Sequence, residues 1–308
     1  MRRLGARMIK LLITGRTSFI GGHFVEHLLL NTDWEVYSIE RLPVRLAGSS
    51  RVHQLFHDIR AEVPAQIIEQ VKDVDYLIHL AADVSGVKSL TDPKLSVTTN
   101  VVGTFNVLEL ARKLPNLEKF VQVSTGEVVG AMPFPFFADE SAPLRPSNPY
   151  AASKAAAEAL VNAYRVSFNV PAIIVRSMNV FGPGQSAERF VPMVVKMILE
   201  GQSFACHVDQ HGSYGSRNWL HVRHLVRGLH QALKQGNVGE TYHIVGPERN
   251  NYEVVNLLAK SLDRPATFRA VVPGPSHDHR YALQNTKIGL NFDCHLDEDL
   301  ASTARSYL

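Results

Sequence analysis

Cysteine is almost missing from this chain: Cys206 and Cys294 are its 2 copies in 308 residues. Two such residues build no disulfide framework and no metal-ligand spacing, and they read as free thiols of a reducing compartment. Long apolar runs are missing as well. Nothing approaches the roughly 20 residues of a membrane span, and Met8-Ile-Lys-Leu-Leu-Ile13 is too short and too quickly broken for a signal sequence. Acids are absent before Glu26, whereas Arg2, Arg3, Arg7 and Lys10 come early. That is a transit-peptide composition, but the stretch runs directly into a strand the fold needs. The expected location is cytoplasmic. The formal net charge is only +3, which gives no footprint for nucleic acid and suits an anionic diphosphate ligand. There is no internal repeat, low-complexity tract or coiled coil. What is present is a 45% hydrophobic chain, long enough to bury a sizeable core in two domains, or in one domain with a lobe.

Ile9-Lys-Leu-Leu-Ile-Thr14 favours a strand, and Gly15-Arg-Thr-Ser-Phe-Ile-Gly21 follows it and opens a helix to about Asn31. Strand, glycine turn and helix form a dinucleotide-binding unit. Gly15 permits the tight turn, Gly21 lets helix and strand approach closely, and the helix N-terminus offers free N–H groups to a pyrophosphate. Glu35-Val-Tyr-Ser-Ile-Glu40 predicts a second strand, ending about twenty residues past the turn on the acid that would take a ribose hydroxyl. Glu40 repels a 2′-phosphate and favours NAD over NADP, although Arg41 stands beside it. Further strands are predicted at Val52–His57, Asp75–Ala82, Phe120–Val123, Pro171–Arg176 and Gly239–Val245, and one long helix over 93–113. His79, inside its apolar run, reads as a core histidine. The alternation predicts an α/β fold: a Rossmann-type doubly wound parallel sheet over 1–175, then a smaller α/β lobe over 176–308, of which about 219–247 returns to the first domain.

Residues 118–154 carry the chemistry. Phe120-Val-Gln-Val123 brings Ser124, Thr125 and Glu127 to its carboxyl end, where open α/β sheets bind ligands. Prolines at 133, 135, 143, 146 and 149 exclude helix and central strand from the next stretch. Helix resumes at Tyr150. Tyr150 and Lys154 share one face of it, so an ammonium can favour the ionised form of a phenol. Tyr-x-x-x-Lys alone is common on helix surfaces. Together with the Ser-Thr strand end and the glycine turn, it resembles the extended short-chain dehydrogenase/reductase family, over nearly all of the chain.

The resemblance implies a cofactor site made of Gly15, Ser18, Phe19, Ile20 and Gly21 in the turn, Glu40, and Asp58-Ile59, similar to an Asp-Ile pair that faces the adenine. Ala81 and Ala82 of His79-Leu-Ala-Ala82 would pass beneath the nicotinamide ribose, and Tyr150 and Lys154 complete the site. Ser18 departs from the middle glycine of the family pattern, with a hydroxyl that could donate to a phosphate. Asn100-Val-Val-Gly-Thr104 is another family element; apolar residues at 97, 101, 105 and 108, with the helix over 150–168, suit a homodimer interface. Asn179-Val-Phe-Gly-Pro-Gly184, Glu188-Arg-Phe-Val-Pro192 and Arg217-Asn-Trp-Leu-His-Val222 resemble sugar-nucleotide-binding segments. They assign Asn179, Glu188, Arg189 and Arg217 to the substrate, with the Arg217 guanidinium matched to the diphosphate. His277-Asp-His-Arg-Tyr281 closely resembles the segment of dTDP-glucose 4,6-dehydratases that closes over the nucleotide, adding His277 and Tyr281. A His-x-His metal site lacks a third ligand at useful spacing, so no metal is expected.

In this family Tyr150 would take the proton of the sugar 4-hydroxyl while a hydride leaves C4, Thr125 would hold the developing oxyanion, and Glu127 would remove the C5 proton. The dTDP-glucose dehydratases carry Ser-Thr-Asp-Glu, whose aspartate protonates the leaving C6 hydroxyl; here Gly126 stands in its place. GDP-mannose 4,6-dehydratases and UDP-glucuronate decarboxylases resemble one another in having serine there. Val129, where tyrosine is usual, also departs. The resemblance implies an NAD-dependent nucleotide-sugar 4,6-dehydratase of dTDP- or UDP-glucose type. A UDP-glucuronate decarboxylase or NDP-sugar epimerase is one alternative, since decarboxylation needs no leaving-group acid. A silent NAD- or sugar-nucleotide-binding protein is another.

Overall fold

The computed structural model describes residues 7–43, 49–272, 278–287 and 294–308. From the amino end the elements are β1 (Lys10–Thr14), α1 (Phe19–Asn31), β2 (Glu35–Glu40), β3 (Val52–Phe56), α2 (Ala65–Val71), β4 (Tyr76–His79), α3 (Gly86–Thr91), α4 (Pro93–Val97), α5 (Gly103–Ala111), β5 (Lys119–Thr125), α6 (Pro149–Phe168) and β6 (Ala172–Ser177). Then come β7 (Val180–Phe181), α7 (Phe190–Leu199), β8 (Ser203–His207), β9 (Ser216–Asn218), β10 (Leu220–His221), α8 (Val222–Gln235), β11 (Thr241–Ile244), β12 (Glu248–Asn250), α9 (Asn251–Ser261), β13 (Thr267–Val271) and α10 (Leu296–Arg305). Seven strands form one sheet in the order β11-β6-β5-β4-β1-β2-β3. β1 pairs in parallel with both β2 and β4, so Leu11, Leu12 and Ile13 are covered on every side and are fully buried. The strand order reverses beside β1, and such switch points are where doubly wound sheets bind ligands.

By packing, the chain divides into two units. One comprises residues 1–124, 148–175 and 229–241; the other comprises 125–147, 176–228 and 242–308. In the first, Leu12, Leu77, Val107, Leu108, Phe120 and Ile174 belong to one buried cluster. The second has its own, around Val194, Ile198, Trp219, Val254, Leu258 and Leu300. In that unit β8 pairs with β13 in parallel and β9 with β12 antiparallel, and a reciprocal Asn250–Glu253 capping box starts α9.

The helix predicted over 93–113 runs from Pro93 to Ala111, with one irregularity inside it. A π-helical turn, Thr98–Val102, separates α4 from α5. The cause is Asn100, buried in that turn. Its amide oxygen accepts from the Asp83 N–H at 2.8 Å, and its amide nitrogen donates to Asp83 O at 2.9 Å and to Ser153 Oγ at 2.8 Å. A widened turn accommodates a side chain engaged in this way. Of the four positions expected on an interface, Val97 and Phe105 are exposed, Val101 is half-buried and Leu108 lies in the core. β5 runs two residues past its predicted end, to Thr125, while β4 stops at His79 instead of Ala82. α6 begins where the prolines end: Asn148 accepts the Ala151 N–H at 2.8 Å and Pro149 occupies the first turn.

Candidate active site

In the first unit the glycine turn is tighter than its spacing conveys. Gly15 has φ +80°, and a Cβ there would lie 2.7 Å from the Ala81 nitrogen; one on Gly21 would lie 2.2 Å from Gly15 O. Only glycine fits either place. Ser18 has φ −73° and needs no glycine. Its hydroxyl donates to Gly15 O at 2.7 Å and accepts the Gly21 N–H at 3.1 Å, so it caps α1. Its proton therefore points into the turn, whereas the sequence suggested that it faces a phosphate. Phe19 and Ile20 are half-buried in the first turn of α1.

Glu40 ends β2 at 4% exposure. One of its carboxylate oxygens accepts the Arg16 N–H and the other the Thr17 hydroxyl, each at 2.7 Å. Asp58 is chelated by Arg60, with Nε 3.0 Å from both carboxylate oxygens, and this hydrogen bonding holds its pKa down at about 2. Ile59 is a core residue: a Cβ on Gly103 would lie 2.8 Å from it, and its carbonyl accepts from Asn106. Ala81 and Ala82 are half-buried. His79 is wired into the interior. Thr104 gives its proton to Asn100 O at 2.6 Å, so His79 Nε2–H donates to Thr104 Oγ1 at 3.1 Å and Nδ1 accepts from the Thr14 hydroxyl at 2.6 Å. Burial, and then the charge of Lys154, push the ring down to a pKa of about 3. A neutral, oriented imidazole is what this chain of donors and acceptors requires. The cradle closed to any side chain at Gly15 and Gly21, with an acid at the end of β2, fits a dinucleotide.

Tyr150 and Lys154 are both buried on α6. Lys154 Nζ donates to Val123 O on β5 at 2.7 Å. Burial lowers its pKa to about 8, opposed by Glu158 one turn further on. The Tyr150 backbone N–H donates to Ser89 Oγ at 3.1 Å. Thr125 is the last residue of β5, two residues beyond the carbonyl that holds Lys154.

In the second unit the Thr125 hydroxyl accepts the Glu127 N–H at 3.2 Å and starts a short 3₁₀ turn, Gly126–Val129. The negative charge of Glu127 is felt by Arg217 and Tyr281. Tyr281 is buried, and its hydroxyl and that of Ser147 both donate to Asp278 Oδ2. Burial first, and then the charge of Glu127, push its phenol far above the usual tyrosine value. The Arg217 guanidinium lies 4.6 Å from the Tyr281 ring centre and donates to three carbonyls: Ser216 at 2.6 Å, His279 at 2.8 Å and Asp278 at 2.5 Å. It thereby fixes the 278–281 segment. A Cβ on Gly126 would lie 2.8 Å from both methyls of Leu283 and 3.0 Å from Met178 Cε. Apolar side chains thus fill the space that a side chain at this position would take. Asn179 adopts the left-handed φ of +36° with its carbonyl on the Leu220 N–H. Glu188 is exposed, and Arg189 precedes the first residue of α7. His277 lies outside the described residues. Among those described, no group of three or more His, Cys, Asp or Glu side chains is arranged for a metal. Thr17, Ser147, Asp278, Met178 and Leu283 join these clusters without having been expected there. Asp278 alone carried a signal, by its place between His277 and Tyr281.

Residues 11–245 match the model of the NAD dependent epimerase/dehydratase family. The dTDP-glucose 4,6-dehydratase of Salmonella typhimurium is 34% identical, with 91% of this chain and 86% of the relative covered. The low-salt glycan biosynthesis protein Agl12 of Haloferax volcanii is 32% identical, with 90% of each covered. Among solved structures, the dTDP-glucose 4,6-dehydratase of Streptomyces venezuelae with NAD bound superimposes with a TM-score of 0.87 at 31% identity, over 97% of both chains. The match begins at β1 and runs on to the residue after β11, so one family pattern contains the turn at Gly15, the strand end at Thr125 and the Tyr150–Lys154 helix. The chain belongs to the NAD-dependent epimerase/dehydratase family.

Proposed function

We propose that this protein is an NAD-dependent nucleotide-sugar 4,6-dehydratase, a lyase that converts an NDP-hexose to its 4-keto-6-deoxy derivative, with dTDP- or UDP-glucose as substrate. The observation that carries this reading is Glu127, retained two residues after Thr125 at the end of β5. The family relationship to dTDP-glucose 4,6-dehydratases supports it.

Gly15, Gly21 and the start of α1 would cradle the pyrophosphate, Glu40 would take the adenosine ribose, and Ala81 and Ala82 would lie under the nicotinamide ribose. When bound there, NAD would supply a hydride acceptor for C4 and, once reduced, a hydride donor for C6. Tyr150 accepts the proton of the 4-hydroxyl, and the buried Lys154 favours the phenolate by its charge. Thr125 hydrogen-bonds the oxygen at C4 as its carbonyl develops. Glu127 then removes the C5 proton, which the new ketone has made acidic, and gives it to the C6 hydroxyl, which leaves as water as the C6–O bond breaks. Asn179, Glu188, Arg189, Arg217, His277 and Tyr281 would contact the nucleotide and sugar, Arg217 at the diphosphate while it also orders the segment that carries Tyr281. In this reading the first unit holds NAD and the second the nucleotide sugar. Exposed Val97 and Phe105 support a homodimer, to be checked by light scattering. Among the described residues no helix is long and apolar enough to cross a membrane, and two cysteines that form no disulfide support a cytoplasmic location.

Gly126 favours one competing reaction, decarboxylation of UDP-glucuronate. Incubation with dTDP-glucose, UDP-glucose, GDP-mannose and UDP-glucuronate, followed by mass analysis and chromatography, tests both. Loss of water from a hexose is the expected result. Loss of carbon dioxide means a decarboxylase, a new isomer of unchanged mass an epimerase, and no reaction a binding protein.

A further inference from the structure

The glycine turn has an arginine and a threonine, Arg16 and Thr17, directly after Gly15, and both reach the same acid. Glu40 receives one hydrogen bond on each carboxylate oxygen: the Arg16 N–H at 2.7 Å and the Thr17 hydroxyl at 2.7 Å. Fixed from both sides at the end of β2, the carboxylate cannot turn away without breaking a charge-assisted bond. Two cations stand nearby, and both are matched with acids. The Arg16 guanidinium feels the charge of Glu40, and Arg41 contributes, as the smallest cause, to holding Asp58 in its ionised form.

We propose that Thr17 is the residue that sets the dinucleotide preference: by positioning Glu40 it makes the site accept a ribose 2′-hydroxyl and reject a 2′-phosphate. This rests on the NAD-dependent reading above. A fixed carboxylate accepts from a hydroxyl and repels a phosphate dianion. One freed of Thr17 folds back toward the Arg16 side chain, weakening the first interaction and relieving the second. Glu40 is the residue that touches the cofactor, and Thr17 acts through it.

Thr17 is exposed, and its replacement by the nearly isosteric valine removes only the hydroxyl; a melting curve checks that the variant is folded. Stripped protein is equilibrated with equimolar NAD and NADP, freed of unbound nucleotide and denatured, and the released dinucleotides are separated by chromatography. The unmodified protein should release NAD in large excess. Thr17→Val should lower the NAD to NADP ratio by about tenfold, the worth of one hydrogen bond to a charged group. Thr17→Ser, which keeps the hydroxyl, should restore it. A Thr17→Val protein with the original ratio overturns the proposal, as does a Thr17→Ser protein indistinguishable from Thr17→Val. Release of neither dinucleotide by the unmodified protein removes the NAD-dependent reading itself, and the proposal with it.

Discussion

At the scale of single residues the proposed chemistry rests on Thr125, Glu127, Tyr150 and Lys154, and on the lack of a side chain at Gly126. Tyr150→Phe removes a proton acceptor and little packing, so turnover should fall by more than about 100-fold while NAD and nucleotide-sugar binding stay nearly intact, as measured by steady-state rates and calorimetry. Lys154→Ala should damage both. Glu127→Gln can still hydrogen-bond but cannot take the C5 proton. It should halt after oxidation, with absorbance of the reduced nicotinamide and a 4-keto sugar accumulating and no loss of water by mass. At Gly126 the neighbours matter more than the residue. A methyl group there meets Leu283 and Met178, so Gly126→Ala should destabilise by about 1–3 kcal/mol, the usual cost of overpacking. Adding Leu283→Ala should recover part of that loss, a coupling that a double-mutant cycle of urea midpoints would detect. Ser18 differs from both. It occupies the Gly21 N–H with its own hydroxyl, and Ser18→Gly should slow NAD release, since the helix N-terminus no longer has to exchange one partner for another.

Among the elements, legibility followed periodicity. Strands such as Glu35–Glu40 are buried between neighbours on both sides and show it as runs of β-formers; their ends were read to within a few residues. The glycine turn and the Tyr150–Lys154 helix were equally plain, because glycines and spacing are written in the chain itself. The widened turn inside the helix over 93–113 was not. It is caused by Asn100 reaching Asp83, seventeen residues earlier, and Ser153, fifty-three later, and no local pattern encodes a partner so distant. The carbonyls of Asp278 and His279 around Arg217 were hidden for the same reason, being contributed by a segment about sixty residues later. Asn100→Ala removes three hydrogen bonds of a buried amide. At about 1 kcal/mol each it should cost about 3 kcal/mol and lower the thermal midpoint by several degrees.

For the molecule as a whole, acid is a solvent condition to which the first unit should be sensitive. Burial holds His79 at a pKa of about 3 and His230 at about 4, against an ordinary value near 6.5 in an unfolded chain. Between those limits the unfolded chain binds more protons, so stability should fall as pH drops from about 6.5 toward 3. Urea midpoints measured over that range should decline. Carbon-13 shifts of the His79 ring should remain those of the neutral form down to pH 4.5; a folded-state titration near 6.5 would contradict the buried network. The two units also share one chain in an uncommon way. It crosses between them five times, after residues 124, 147, 175, 228 and 241. No single cut yields either unit whole, and a fragment ending at residue 175 lacks β11, an edge of the sheet. Neither half can therefore be lost, borrowed or exchanged by one genetic splice. A change of chemistry in such a chain is reached more readily by substitution at single positions, such as Gly126 or Ser18, than by exchange of a whole unit.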